Sequence, residues 1–314
     1  MAPDGRSLIT SISMQQSAIW IHDDNGDRAV STQGYAVVRD ESDSLPWFSS
    51  DDKRLYYLFR RDTPESPIEL WRTDLTSGMS EAVIRGISIR EFNISSDETQ
   101  AVFSTFPAGK PSQLWLAVLD RSAPPRMITS SGEANPHFGP QGEVLFLLRE
   151  GNEYYLAQIR QDGSGRSKVV PYPMRGIVNI SPDRRFVISN LPVPAGKEPN
   201  GIVTMAIPVG GGPPRRICAG ICPVAWSPDG KYFYAGIAPA SIAHPTGKMV
   251  AIPLPPGETL PPLPESGIRW EAEGLNLPGV QFIEQGDVTP GLKPPTYAYV
   301  KSVFHANLFR IPLR

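Results

Sequence analysis

Histidine and cysteine are scarce in this chain: 314 residues hold four of the first and two of the second. His22, His137, His244 and His305 stand far apart with no partner at ligand spacing, and a structural zinc site needs four N or S ligands, which Cys218 and Cys222 alone cannot supply. No metal and no cofactor is expected. There is no Gly-x-Ser-x-Gly elbow, phosphate-binding P-loop, His-Glu-x-x-His helix, EF-hand loop or kinase catalytic motif. The chain therefore reads as non-catalytic, with any catalytic domain attached to it rather than in it. No apolar run approaches the ~20 residues that a helix needs to cross a bilayer, and Met1-Ala2-Pro3-Asp4 does not read as a signal peptide. Neither sign of charge dominates. Thirty Lys and Arg against 32 Asp and Glu leave a net charge of −2, which gives no electrostatic case for nucleic acid or an anionic membrane.

Turn formers are plentiful, with 28 Gly and 34 Pro, and their placement is periodic. Pro3-Asp4-Gly5, Ser49-Ser50-Asp51-Asp52, Ser95-Ser96-Asp97-Glu98, Gly139-Pro140-Gln141-Gly142, Ser181-Pro182-Asp183-Arg184 and Ser227-Pro228-Asp229-Gly230 follow one another roughly every 42 to 47 residues, a period that marks a propeller array. Pro presets φ, Asp or Ser caps backbone N–H groups, and Gly accepts positive φ, so each motif is a tight turn between strands. A β-branched or aromatic run follows each turn, as in Leu55-Tyr56-Tyr57-Leu58-Phe59, and a third strand such as Leu70-Trp71 or Leu114-Trp115-Leu116 comes after a loop. Shorter fourth strands follow at Arg126-Met127-Ile128-Thr129 and Arg215-Arg216-Ile217-Cys218. Four strands make one blade.

The fold expected is all-β, a single propeller domain over residues 1–314. A degenerate copy at Thr289-Pro290-Gly291, with Tyr297-Ala298-Tyr299-Val300 as its second strand and Asn307 to Pro312 as its third, raises the count to seven blades with the first and last incomplete; six blades is the alternative. On the seven-blade reading the inner strand of blade one and the outer strand of blade seven are missing, and an upstream segment of roughly 20 to 30 residues is expected to supply both and remove open sheet edges. The Pro-rich stretch 253–279 reads as an insertion within the sixth blade, with one helical turn around Glu271-Ala272-Glu273-Gly274.

Before each turn the sequence alternates with period two, as an extended strand does. Trp47, Asn93, His137, Asn179 and Ala225 occupy one repeated position between apolar or proline neighbours, on what the blade layout makes the innermost strand. Asn93, His137 and Asn179, with Trp47 beside them, are the candidates for a small polar ligand in the central channel; the competing reading is that each satisfies a backbone group of the next blade. The aspartates Asp4, Asp51, Asp97, Asp183 and Asp229 read as turn caps rather than a cation ring, and Trp20, Trp71 and Trp115 as packing between blades rather than a stacking platform. Cys218 and Cys222 flank a strand-to-strand corner. A disulfide there implies an oxidising, extracytoplasmic compartment, whereas free thiols leave a cytoplasmic location open.

The repeated Ser-Pro-Asp-Gly-Lys turn followed by an aliphatic or aromatic strand resembles the TolB-type, WD-like β-propeller repeat along nearly the whole chain. Trp-Asp dipeptides and recurrent Gly-Gly pairs are lacking, which separates the chain from true WD and kelch repeats. The Cys218 to Cys222 segment before Trp226-Ser227-Pro228-Asp229-Gly230, and the ending Leu308-Phe309-Arg310-Ile311-Pro312, are similar to propellers found behind bacterial serine/threonine kinase domains and winged-helix regulators. The resemblance implies a sensor or interaction module that binds a protein partner or a small polar ligand. Two alternatives stand beside it: the propeller half of a prolyl-oligopeptidase-like hydrolase, and a TolB-like envelope component.

Overall fold

The computed structural model describes residues 7–30, 35, 36, 45–61, 63, 65–194, 201–236, 248–268 and 278–312. Six antiparallel sheets stand around one axis, each a blade, and no helix occurs among the described residues. Blade three runs outward as β8 (Glu91–Ile94), β9 (Gln100–Thr105), β10 (Gln113–Val118) and β11 (Arg126–Thr129). Blade four repeats this with β12 (Ala134–Phe138), β13 (Val144–Glu150), β14 (Glu153–Ile159) and β15 (Ser167–Lys168). Blade five uses β16 (Ile177–Ile180), β17 (Phe186–Pro192), β18 (Ile202–Pro208) and β19 (Arg215–Ala219). Blade six uses β20 (Val224–Trp226), β21 (Tyr232–Gly236), β22 (Met249–Pro253) and β23 (Gln281–Ile283). In blade two, β3 (Tyr35–Ala36) and β4 (Trp47–Phe48) both pair the inner side of β5 (Arg54–Arg60), followed outward by β6 (Glu69–Asp74) and β7 (Ser80–Ile84).

The seven-blade expectation is corrected to its six-blade alternative by the remaining sheet, which takes strands from both ends of the chain. Its order from the axis is β24 (Thr289–Pro290), β25 (Tyr297–Pro312), β1 (Ser7–Asp23) and β2 (Gly26–Ala29). The first and seventh repeats are thus the outer and inner halves of one blade, and each supplies the strands the other lacks. An upstream segment is no longer needed to complete four strands. The runs after the first turn, Leu8-Ile9-Thr10 and Ile19-Trp20-Ile21, which the blade pattern makes a second and a third strand, lie in one uninterrupted β1, and Tyr297 to Pro312 likewise form one strand, in register from His22↔Tyr297 to Ser7↔Pro312. The physical reason is local: neither Ser11 to Ser17 nor Lys301 to Ala306 contains the Gly or Pro that would turn the chain. The turn at Asp4 lies outside the described residues, as do Glu271 to Gly274.

The elsewhere-repeated turn works as expected. In Ser49, Ser95, Ser181 and Ser227 the hydroxyl donates to the Asp two residues on (2.7, 2.6, 2.6 and 2.8 Å) and accepts the N–H five residues on. Each Asp also accepts the N–H two residues beyond itself, at 3.1 Å. Each of these serines also donates its backbone N–H to the carbonyl five residues on, at 2.9 to 3.0 Å, and Gly291 N–H to Thr296 C=O at 2.9 Å repeats that bond, which places Gly291 in the serine slot rather than the aspartate slot, so Thr289 takes the ring position of Trp47.

Because each blade packs on two neighbours, its middle strands are buried on both faces; β5 is buried along its whole interior. The buried residues divide into six clusters, one for each junction between successive blades. Alternate residues of one strand serve opposite junctions: Ala101 and Phe103 face blade two, Val102 faces blade four. Trp71 joins the blade one–two cluster, while Trp115 packs at the two–three junction and Trp20 at the six–one junction. The Pro-rich stretch expected as an insertion lies between β22 and β23 of blade six. Its Leu260 and Ile268 are buried with Cys218 and Cys222, and Ile268 adds a parallel bridge to Cys218 on the outer strand of blade five. Thr259 in the same stretch donates to Asp183 at 2.5 Å and accepts Trp226 Nε1–H through its carbonyl at 2.8 Å.

Candidate functional site

The inner strands β4, β8, β12, β16, β20 and β24 set Trp47, Asn93, His137, Asn179, Ala225 and Thr289 at one level of the ring, and all six line a single axial cavity of about 220 Å³. The four sequence candidates are therefore brought together, and Thr289 joins them from the degenerate copy.

Their roles differ, and the difference alternates around the ring. Asn93 Oδ1 accepts the Phe138 N–H of blade four at 3.1 Å. Asn179 Nδ2 donates to the Val224 carbonyl of blade six at 3.1 Å, and Thr289 Oγ1 donates to the Pro46 carbonyl of blade two at 2.7 Å. Blades three, five and one thus each clip the blade that follows. The ring residues of the clipped blades, His137, Ala225 and Trp47, make no such bond among the described residues. For Asn93 and Asn179 the backbone-satisfying reading describes their contacts; Trp47 and His137 are the sequence candidates that line the channel without such a contact among the described residues. Trp47 meets Tyr56 edge-on at 5.6 Å.

His137 is held neutral. Burial, and then the neighbouring Arg184 guanidinium, pull its pKa down to about 3, and its Nδ1 is buried without a hydrogen-bond partner among the described residues. One bulge away, Asn135 takes φ 54° and donates its backbone N–H to Glu91 Oε2 at 2.7 Å, while its own Oδ1 is buried and unpartnered. Glu91 also accepts the Ser104 hydroxyl, so its carboxylate is a structural acceptor in the channel wall.

Arg184, absent from the sequence candidates, crosses the channel mouth on the turn side. It occupies the turn slot where Gly142 and Gly230 stand in other blades, with φ 60°. Its guanidinium donates to the Phe138 carbonyl of blade four, and to Ile94 O and Asn93 Oδ1 of blade three at 3.3 and 3.5 Å. Asp52 and Glu98 fill the same slot, also at positive φ. Asp52 accepts Leu292 N–H of blade one at 2.6 Å; Glu98 accepts Ser50 N–H at 3.0 Å and pairs Arg54 at 3.1 Å, both in blade two. The legible signal was a non-glycine residue where the turn favours glycine. Such a position costs on the order of 1–3 kcal/mol, here offset by a bond to the preceding blade.

The turn aspartates carry no metal-binding arrangement, and no group of three His, Cys, Asp or Glu able to hold an ion occurs among the described residues. Their hydrogen bonds hold them ionised: the Ser49 and Ser95 hydroxyls lower Asp51 and Asp97, and bonds from Ser181, Thr259 and Arg185 outweigh burial at Asp183 and hold it at about 2. Cys218 and Cys222 form a disulfide, with Cα atoms 6.5 Å apart.

No protein-family model matches the chain, and no curated protein matches it in sequence. Solved structures match its fold. A putative TolB from Agrobacterium tumefaciens is 17% identical with a TM-score of 0.59, the match covering 92% of this chain and 99% of that one. TolB from Acinetobacter baumannii is 13% identical at 0.55, covering 76% of this chain and 61% of that one, so the chain spans under two thirds of its length. An oligogalacturonate lyase from Vibrio parahaemolyticus is 12% identical at 0.52, covering 80% and 72%. At these identities the likeness is one of fold: the chain shares the β-propeller fold of these proteins.

Proposed function

We propose that this propeller is a non-catalytic binding module, the sensing or interaction part of a larger signalling or regulatory protein, whose axial channel receives a small polar ligand or a short polar segment of a partner protein. The observation that carries the reading is the channel wall itself: about 220 Å³ of space flanked by Trp47 and by two buried, unpartnered polar atoms, His137 Nδ1 and Asn135 Oδ1. Leaving such atoms unbonded costs about 1–3 kcal/mol each. A ligand that supplies their partners recovers that energy. The lining argues for binding over catalysis, because the Ser181 and Ser227 hydroxyls are spent on turn aspartates, that of Ser50 on Glu98, and the one histidine has a guanidinium, not a carboxylate, beside it. The Cys218–Cys222 bridge supports an oxidising, extracytoplasmic location.

The test is ligand-observed NMR with a panel of amino acids, dipeptides and monosaccharides, run on the wild type, Trp47→Ala and the channel-filling Ala225→Phe. Binders that both substitutions abolish are expected. A panel with no binder, or binders indifferent to both substitutions, would refute the channel reading, and hydrolase or phosphotransferase turnover by residues 1–314 would refute the non-catalytic one.

A further inference from the structure

Away from the channel, two guanidinium groups and one carboxylate line a cleft at the edge of blade two. A cleft of about 230 Å³ lies between Arg61, just beyond β5, Glu69 and Trp71 of β6, and Ala82 and Arg85 at the end of β7. Arg61 lies over the Trp71 indole, 4.7 Å from the ring centroid. Arg85 donates Nε–H to the Ala82 carbonyl at 3.2 Å, which fixes its guanidinium and leaves the Nη groups without a carboxylate. Arg121, reaching over from blade three, donates to the same carbonyl at 3.4 Å and pairs Glu81 at 2.9 Å; Arg72 pairs Glu81 as well. Arg72, Arg121 and Glu81 form a separate group outside the cleft, whose own lining sets two guanidinium groups, Arg61 and Arg85, against one carboxylate, Glu69. Glu81 is shared by Arg72 and Arg121, and Glu69 accepts Gly86 N–H at 2.7 Å. Among the described residues neither Arg61 nor Arg85 has a carboxylate partner. Trp71 is 6% exposed, and among the described residues its Nε1–H has no acceptor.

Like charges fixed at one cleft, by stacking on one side and by a carbonyl on the other, repel until an anion neutralises them. We propose that this cleft binds the phosphate group of a small phosphomonoester, a site separate from the channel and independent of what the channel binds. A single arginine satisfies a carboxylate bidentately and would leave the second charge unused. Arg61 follows β5 and Arg85 follows β7, and both line the cleft, so a tetrahedral dianion there has donors from two separate segments. The cleft is larger than a phosphate and leaves room for the organic remainder beside the indole.

The experiment is a titration of the whole chain with inorganic phosphate at constant ionic strength, followed by tryptophan fluorescence, with acetate as the comparison anion. A saturable change that disappears in Trp71→Phe is expected. Arg61→Ala and Arg85→Ala should each weaken binding about tenfold, the loss of one charge-assisted bond, whereas Glu69→Gln should tighten it by removing the opposing charge. Both arginines are exposed, and circular dichroism of the variants checks that they fold. An absence of saturation, saturation unchanged in Arg61→Ala and Arg85→Ala, or acetate binding as tight as phosphate overturns the proposal.

Discussion

Replacing Arg184 separates the two opposing contributions that its position combines. Its guanidinium makes one short bond, to the Phe138 carbonyl, and two long ones, to Ile94 O and Asn93 Oδ1 at 3.3 and 3.5 Å. A hydrogen bond from a charged donor contributes roughly 1.5–3 kcal/mol, and counting the short bond in full with the long ones at a fraction gives about 3 kcal/mol gross. Burial of the charge works the other way, as the lowered pKa of Arg184 shows. A net loss of about 1–3 kcal/mol is expected for Arg184→Ala, or a few degrees in Tm for a chain of this size. Arg184→Gly loses the same bonds but relieves the left-handed backbone at φ 60°, worth about 1 kcal/mol. Glycine should therefore be the milder substitution. The assay is urea unfolding of both variants beside the wild type, compared by midpoint at unchanged slope. Arg184→Ala as stable as the wild type would remove the clip between blades four and five, and Arg184→Gly less stable than Arg184→Ala would refute the strain argument.

His137 should not titrate in the usual imidazole range. With its folded pKa near 3 against about 6.5 unfolded, the unfolded chain alone binds the proton between those values. Stability should fall as pH drops through that window and the slope should shrink in His137→Asn; an NMR-observed imidazole titrating near its ordinary value would contradict the burial. For the cysteines, thiol labelling of the unfolded, unreduced protein should find no free sulfhydryl, and two reactive thiols would end the case for an oxidising compartment.

Much of the site was readable because its determinants are local. Period-two alternation before each turn put Trp47, Asn93, His137 and Asn179 at one ring level, and the structure places all four on one cavity. That each satisfies a backbone group of the next blade was one of two readings left open, and it describes Asn93 and Asn179; which reading holds at each position was not legible, because the partner of Asn93 lies 45 residues away in the next blade. The same holds for Arg184, whose acceptors lie 46 and 90 residues away. Thr289 escaped notice because the degenerate turn, with Gly291 in a serine slot, shifts the repeat frame by two residues.

By itself the sequence determined the unit: turn chemistry and strand periodicity act over a few residues, so the blade, its inner strand and the capping role of Asp51, Asp97, Asp183 and Asp229 follow from local spacing. The tertiary structure decided the number and closure of units. Whether two half repeats at opposite ends make two incomplete blades or one whole one depends on β1 meeting β25 across the entire chain, a choice set by the ring's geometry and by hydrogen-bond satisfaction of both edges. It also decided which ring residues clip a neighbour and which remain open to the channel, since that depends on which backbone group the adjacent blade presents.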